Sequence, residues 1–315
     1  MLRQLIAYRQ RLRQLRLISI AHADRWFARN FPVAHARAPA FILLTRANKP
    51  IGTYLLLWPT LSALWLAAGG WPDWHLILIF GLGTWLMRSA GCCINDFADA
   101  AVDGQVKRTE GRAIVTGQVS RREAFVCFLV LCLLSAVLLL FLNIQTMLLS
   151  LGAVALTFLY PFMKRYTHLP QVVLGMAFSW GILMAFTAQT ETLPAIAWVL
   201  YVANCLWTVA YDTQYAMVDR EYDLKIGVKS TAILFGDADK VMIGMLQGMF
   251  VLALLLVGRS LGLNLWYYLG VSVATILLVY QQLLIRDRRP DACFSAFLNN
   301  HWVGLAVFAG VVLGV

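Results

Sequence analysis

Apolar residues fall in runs too long for the interior of a water-soluble domain. Nine segments, 51–69, 75–94, 123–142, 146–163, 169–188, 193–211, 241–258, 265–285 and 295–315, are almost free of charge. A helix of about 20 residues spans the hydrocarbon of a bilayer. Helices and closed barrels alone satisfy every backbone group there, and the alternating ten-residue segments of a barrel are absent. The pattern therefore predicts an all-α, polytopic membrane bundle of nine transmembrane helices, with Gly and Ala supplying close helix packing. Residues 1–40 form a basic N-terminal extension and 41–315 the membrane domain.

Polar residues interrupt this pattern in two places that match. Asn95, Asp96, Asp99 and Asp103 close the second apolar run. At about 100° per residue, Asn95, Asp99 and Asp103 form one stripe of a helix and Asp96 flanks it. Moving 116 residues along, Asp96 falls on Asp212, Asp103 on Asp219, and Asp99 on Tyr215, while Asp223 adds an acid one turn further. The same offset carries segments 51–69, 75–94, 123–142 and 146–163 onto later predicted helices. Two four-helix repeats with the same orientation, plus one helix, account for all nine. A solvated helix end is the alternative reading of either stripe, but it requires no such register.

Charge changes the picture through its placement. The chain carries 26 Lys and Arg against 16 Asp and Glu. Ten of the basic residues precede residue 51, and the loops after the second, fourth, sixth and eighth helices hold five, two, four and three. Such asymmetry is the positive-inside signature. It assigns the N-terminus and both acidic stripes to the cytoplasmic face of an inner membrane, and the C-terminus to the outside. Nucleic acid is not needed to explain the net charge, whereas membrane lipid is an expected partner. The spacing of Leu2, Leu5, Ile6, Leu12, Leu15, Leu17 and Ile18 permits an interfacial helix. A mitochondrial presequence, with residence in the mitochondrial inner membrane, and a disordered basic tail are the alternatives. The six cysteines lie mostly in apolar segments without CxxC spacing and read as packing residues.

Clustered carboxylates repel one another unless a cation joins them, and hard oxygen ligands favour Mg²⁺ shared with substrate phosphates. Basic groups approach the same face: Arg46, Asn48 and Lys49 before the first helix, Lys107, Arg108 and Arg112 after the first stripe, Lys225 and Lys229 after the second. Tyr160 and Lys164 lie one turn apart if the helix continues past Pro161, with Arg165 adjacent. Together they read as a clamp for diphosphate; taken singly, each also serves as a topology determinant or lipid contact. Arg88, the one cation within a predicted span, is read as structurally paired and left outside the catalytic set. Acids for Mg²⁺, bases for phosphate and a greasy interior imply a polyisoprenyl diphosphate. Its allylic C–O bond ionises, and an electron-rich aromatic captures the cation away from water.

The stretch Asn95 to Asp103 matches an NDxxDxxxD motif, and Tyr211 to Asp223 followed by Gly227-Val228-Lys229-Ser230-Thr231-Ala232 resembles its partner. With the 160–166 and 46–52 segments, they make the chain similar to the UbiA superfamily of intramembrane prenyltransferases. It most resembles the branch that acts on 4-hydroxybenzoate in ubiquinone biosynthesis. The resemblance implies transfer of a polyprenyl chain to the carbon ortho to the hydroxyl, with release of diphosphate. It implies that Asn95, Asp99, Asp103, Asp219 and Asp223 serve Mg²⁺-diphosphate, with Asp96 and Asp212 in support. Lys164 would contact diphosphate and Arg165 the benzoate carboxylate. Ala113 and Leu183 replace family prolines, which bears on the shape of one loop and the bend of the fifth helix. Dihydroxynaphthoate, homogentisate or haem are the alternative acceptors within the superfamily, and a cation-coupled transporter the alternative outside it.

Overall fold

The computed structural model describes residues 28–100, 103–105 and 109–315. Residues 1–27, with the amphipathic spacing of Leu2 to Ile18, and the candidate phosphate ligands Lys107 and Arg108 lie outside the described residues. Regular structure in the described residues is helical throughout. A helix α1 (Pro32–Thr45) leads into α2 (Ile51–Ala68), α3 (Trp74–Asp99), α4 (Arg121–Leu139) and α5 (Ile144–Met163). Then come α6 (Pro170–Thr190), α7 (Ala195–Ile226), the short α8 (Thr231–Phe235), α9 (Asp239–Leu261), α10 (Leu265–Leu284) and α11 (Pro290–Gly314). Among the described residues, nine helices are long and apolar enough to cross a membrane, α2 to α7 and α9 to α11, and they coincide with the nine expected segments. The chain is an integral membrane protein. α1 spans the boundary placed at residue 40; its Ala40 and Leu44 are buried in a cluster with Leu86 and Phe128. Its Arg37 meets Glu123 of α4 at 2.6 Å.

Local signals explain the helix ends. Ser120 and Glu123 form a reciprocal capping box that starts α4. Asn143 and Asn264 accept backbone N–H groups at the starts of α5 and α10. The offset of 116 residues carries α2, α3, α4 and α5 onto α6, α7, α9 and α10, which leaves α11 as the unpaired helix.

The helical spacing of the second acidic segment is met: α7 continues beyond its apolar run at residue 211 to Ile226, where Gly227 takes φ 71°. Its 32 residues make a rod of about 48 Å, against about 30 Å of hydrocarbon. Buried amides hold it in rotation. Gln214 donates to Gln281 Oε1 at 3.1 Å, Asn300 donates to Gln214 Oε1 at 3.0 Å, and Trp207 donates to Asn300 Oδ1 at 2.8 Å. Gln247 of α9 also donates to Gln281. Such groups must find partners inside the bundle.

A departure from the expectation concerns the stripe Asn95–Asp99–Asp103. α3 ends at Asp99, and Asp103 opens a separate 3₁₀ turn, Asp103–Gln105. Asp103 is therefore not on the helix that carries the other acids. It returns to them through a side-chain contact.

Candidate active site

A cavity of about 940 Å³ opens among α2 to α7 and the start of α11. Arg46, Asn48, Asn95, Asp96, Arg112, Tyr160, Asp212 and Tyr215 line its polar part. Leu55, Leu139, Val154, Phe178 and Met184 line the remainder. The surface suits a molecule with a charged head and a hydrocarbon tail.

The last turn of α3 delivers Asn95, Asp96 and Asp99. A helix C-terminus carries partial negative charge, so carboxylates there need compensation. Three cations from three different segments provide it. Arg46, in the left-handed turn that ends α1 (φ 54°), places Nη2 2.9 Å from Asp96 Oδ1. Lys164, the C-cap of α5, places Nζ 2.5 Å from Asp99 Oδ1. Arg112 Nη1 lies 3.2 Å from Asp96 and 3.8 Å from Asp99, and donates to Asp103 Oδ2. That contact, with Thr109 donating to the Asp103 carbonyl at 2.6 Å, brings Asp103 back to the stripe. All three carboxylates are buried. Burial pushes the Asp103 carboxyl up to about 6, with Arg112 opposing the shift and Asp99 and Asp96 adding to it.

Tyr160 donates to Asn95 Oδ1 at 2.9 Å, so the helix does continue past Pro161 and presents Tyr160 and Lys164 to the same site. Tyr160, Asn95, Asp96 and Asp212 all line the cavity, so both acidic segments reach it. Asp212 reaches the cavity wall. Asp219 and Asp223 are half-buried on the extension of α7 and do not line the cavity.

The remaining candidates are placed differently. Lys225 lies 5.7 Å from the Tyr222 ring. Lys229 braces the α5–α6 loop: its N–H donates to the Lys164 carbonyl at 3.1 Å and its Nζ to the Tyr166 carbonyl at 3.2 Å. Arg165 donates to the Ala98 carbonyl, lies 5.8 Å from the Phe162 ring and does not line the cavity.

Arg88, set aside on sequence grounds, lines the cavity about two turns below Asn95. It donates to Cys92 Sγ and packs against Gly52. Among the described residues no carboxylate lies within ion-pair distance of it. The available signal was a lone cation in a predicted span, which marks function as often as pairing.

No group of three or more His, Cys, Asp or Glu among the described residues is arranged as a finished metal site. Asp96, Asp99 and Asp103 nonetheless converge on one guanidinium nitrogen. The cation at their focus is Arg112, and the donors are the hard oxygens that Mg²⁺ takes.

Comparison with known proteins gives the chain a family. The chain is 60% identical over 278 residues to a 4-hydroxybenzoate octaprenyltransferase of Pseudomonas aeruginosa, covering 88% of this chain and 94% of that one. It is 59% identical over 279 residues to the enzyme of the same name from Ectopseudomonas mendocina, covering 89% and 94%. In fold it resembles the apo structure of a UbiA homolog from Aeropyrum pernix K1 (TM-score 0.74, 21% identity, 82% of this chain and 97% of that one). It also resembles a UbiA homolog from Archaeoglobus fulgidus bound to GPP and Mg²⁺ (TM-score 0.63, 18% identity, 85% and 99%). The model of the UbiA prenyltransferase family matches residues 56–309, which takes in both acidic segments and most of the cavity lining but not Arg46, Asn48 or Gly52, and this chain is a member of that family.

Proposed function

We propose that this prenyltransferase moves a polyprenyl chain from its diphosphate to the carbon ortho to the hydroxyl of 4-hydroxybenzoate, a reading supported by relatives named 4-hydroxybenzoate octaprenyltransferase. One observation carries the reading most directly: three carboxylates balanced by Arg46, Arg112 and Lys164, set above a largely apolar cavity. Asp99 and Asp103 would supply hard oxygens to Mg²⁺, and Arg46, Arg112 and Lys164, which pair with Asp96, Asp99 and Asp103 here, would supply cations to the diphosphate oxygens.

Asn95, Asp99 and Asp103 on one side and Asp219 and Asp223 on the other would hold Mg²⁺, which when bound draws charge onto the departing diphosphate. Asp96 orients Arg46 and Arg112, and these with Lys164 hold the leaving group. Asn48, Lys225 and Lys229 are assigned as phosphate contacts or braces, and Lys107 and Arg108 keep the role of phosphate ligands on their sequence position alone. The acceptor carboxylate is assigned to Arg88 rather than Arg165, because Arg88 faces the cavity with a planar fork suited to two hydrogen bonds. Asp212, on the cavity wall, receives the ring proton that leaves once the new C–C bond has formed. The surrounding helices exclude water from the cation.

The reading extends to topology and domains. The N-terminus and the site face the cytoplasm from an inner membrane, with the C-terminus outside, and residues 41–315 contain every assigned side chain. Purified protein should convert 4-hydroxybenzoate and octaprenyl diphosphate into a product of the summed mass less diphosphate. It should do so only with Mg²⁺, and should prefer this acceptor over dihydroxynaphthoate and homogentisate. Asp99→Asn and Asp219→Asn should each lower turnover by about two orders of magnitude or more. Undiminished turnover after chelation, or in either folded variant, would defeat the assignment.

A further inference from the structure

The second acidic segment departs from the first at one register position, where Tyr215 stands in place of the Asp99 carboxylate. Tyr215 belongs to a connected group of rings. Its centroid lies 4.8 Å from that of Phe297 and 6.2 Å from that of Phe294, and the two phenylalanines are 6.1 Å apart. Tyr211, one turn deeper on α7, lies 6.1 Å from Phe297. All four rings line the cavity. Aromatic clusters between helices are ordinarily core, and Tyr211 is fully buried, but Tyr215 and Phe297 are only half-buried and Phe294 remains 37% exposed.

Their level in the cavity matters. Asp212 lies between Tyr211 and Tyr215 in sequence, and Arg46, with its partner Asp96, lines the same cavity as Tyr215. The rings therefore adjoin the place where the diphosphate head is held, while deeper lining residues such as Leu55, Leu139 and Val154 are mostly aliphatic. A tail needs only apolar contact. A cation in a site without water gains from the negative faces of rings.

We infer that Tyr215, Phe294 and Phe297 form a π-rich wall that stabilises the allylic cation between departure of the diphosphate and capture by the acceptor. This rests on the proposed transfer reaction. The C1–O bond breaks and its electron pair leaves on the diphosphate, so the positive charge is shared between C1 and C3. The acceptor carbon ortho to the hydroxyl then donates a ring π pair to C1, and its proton passes to Asp212. The wall forms no bond; it lowers the energy of the charge.

The test replaces Phe297 in the full-length protein with mono-, di- and trifluorophenylalanine. These substitutions barely change ring size but progressively weaken the negative face. A cation–π contact contributes about 2- to 30-fold in rate. The single-turnover transfer rate should therefore fall stepwise along the series, reaching about tenfold in the trifluoro protein, with KM for both substrates within twofold of wild type. Phe297→Leu should fall further, with a larger share of prenyl alcohol formed by water capture. A flat fluorination series at the wild-type rate would overturn the wall, and it remains readable if Phe297→Leu fails to fold. The product made by the wild type judges the reaction separately. Transfer to a different acceptor would overturn the acceptor assignment while the slope still judged the wall, and no transfer at all would overturn both.

Discussion

Gly52 offers a direct way to disturb the acceptor site without touching a charged group. It lies in the first turn of α2, and a Cβ built there would sit 2.5 Å from Arg88 Nη2 and 2.6 Å from Cζ. Ordinary contact begins near 3.4 Å, so the guanidinium must retreat by about 1 Å. Because the obstructing atoms end a flexible side chain, Gly52→Ala should fold, and Ala favours the helix by about 1 kcal/mol over Gly. Misplacing a binding group by about 1 Å costs up to 10²-fold. Complete loss of a buried charged partner costs about 2–5 kcal/mol, which bounds the effect from above. We expect KM for 4-hydroxybenzoate to rise about 10- to 100-fold in detergent-solubilised enzyme, while KM for the prenyl diphosphate stays within about twofold. Combining Gly52→Ala with Arg88→Lys should add little, since both act through one guanidinium. Equal changes in the two Michaelis constants, or full additivity, would refute the assignment of the acceptor carboxylate to Arg88.

Other expectations follow from the same geometry. Lys164→Ala removes the cation nearest Asp99 and should raise KM for prenyl diphosphate more than KM for 4-hydroxybenzoate, as read by varying each substrate in turn. Arg165→Lys alters the hold on the Ala98 carbonyl, so it should shift both constants alike and lower the thermal midpoint. A shift confined to the acceptor would return the carboxylate to Arg165. A reporter fused after Val315 should be active only outside the cytoplasm and one inserted near Gly104 only inside; the reverse pattern would invert the orientation.

The nine spans were legible because hydrocarbon imposes a composition and a length that few other environments share. Hydropathy closes the sixth span at residue 211, and the helical spacing of Asp212, Asp219 and Asp223 carries α7 on without a break to Gly227. The same spacing misled at Asp103, which fits a helix that has already ended at Asp99. Periodicity reports a face only while the helix lasts. Arg88 and Arg165 show a further boundary: the residue type was readable at both, but which side chain turned inward depended on helices far away in sequence. The small residue opposite Arg88, Gly52, has meaning only after α2 and α3 have packed.

The unbroken length of α7 has a consequence for how change in this chain is transmitted. A straight rod carries azimuth as well as height: one residue inserted beneath Asp212 would swing every carboxylate above it by about 100° and raise it by about 1.5 Å. Four inserted residues would bring the bearing back to within about 40° while lifting the acids about 6 Å. The buried amides of Gln214, Gln281 and Asn300 resist such a screw motion, because each tolerates one phase only. Insertions among residues 195–211 should thus be far more damaging than insertions in the loops between helices, and their damage should follow the helical period rather than the number of residues added.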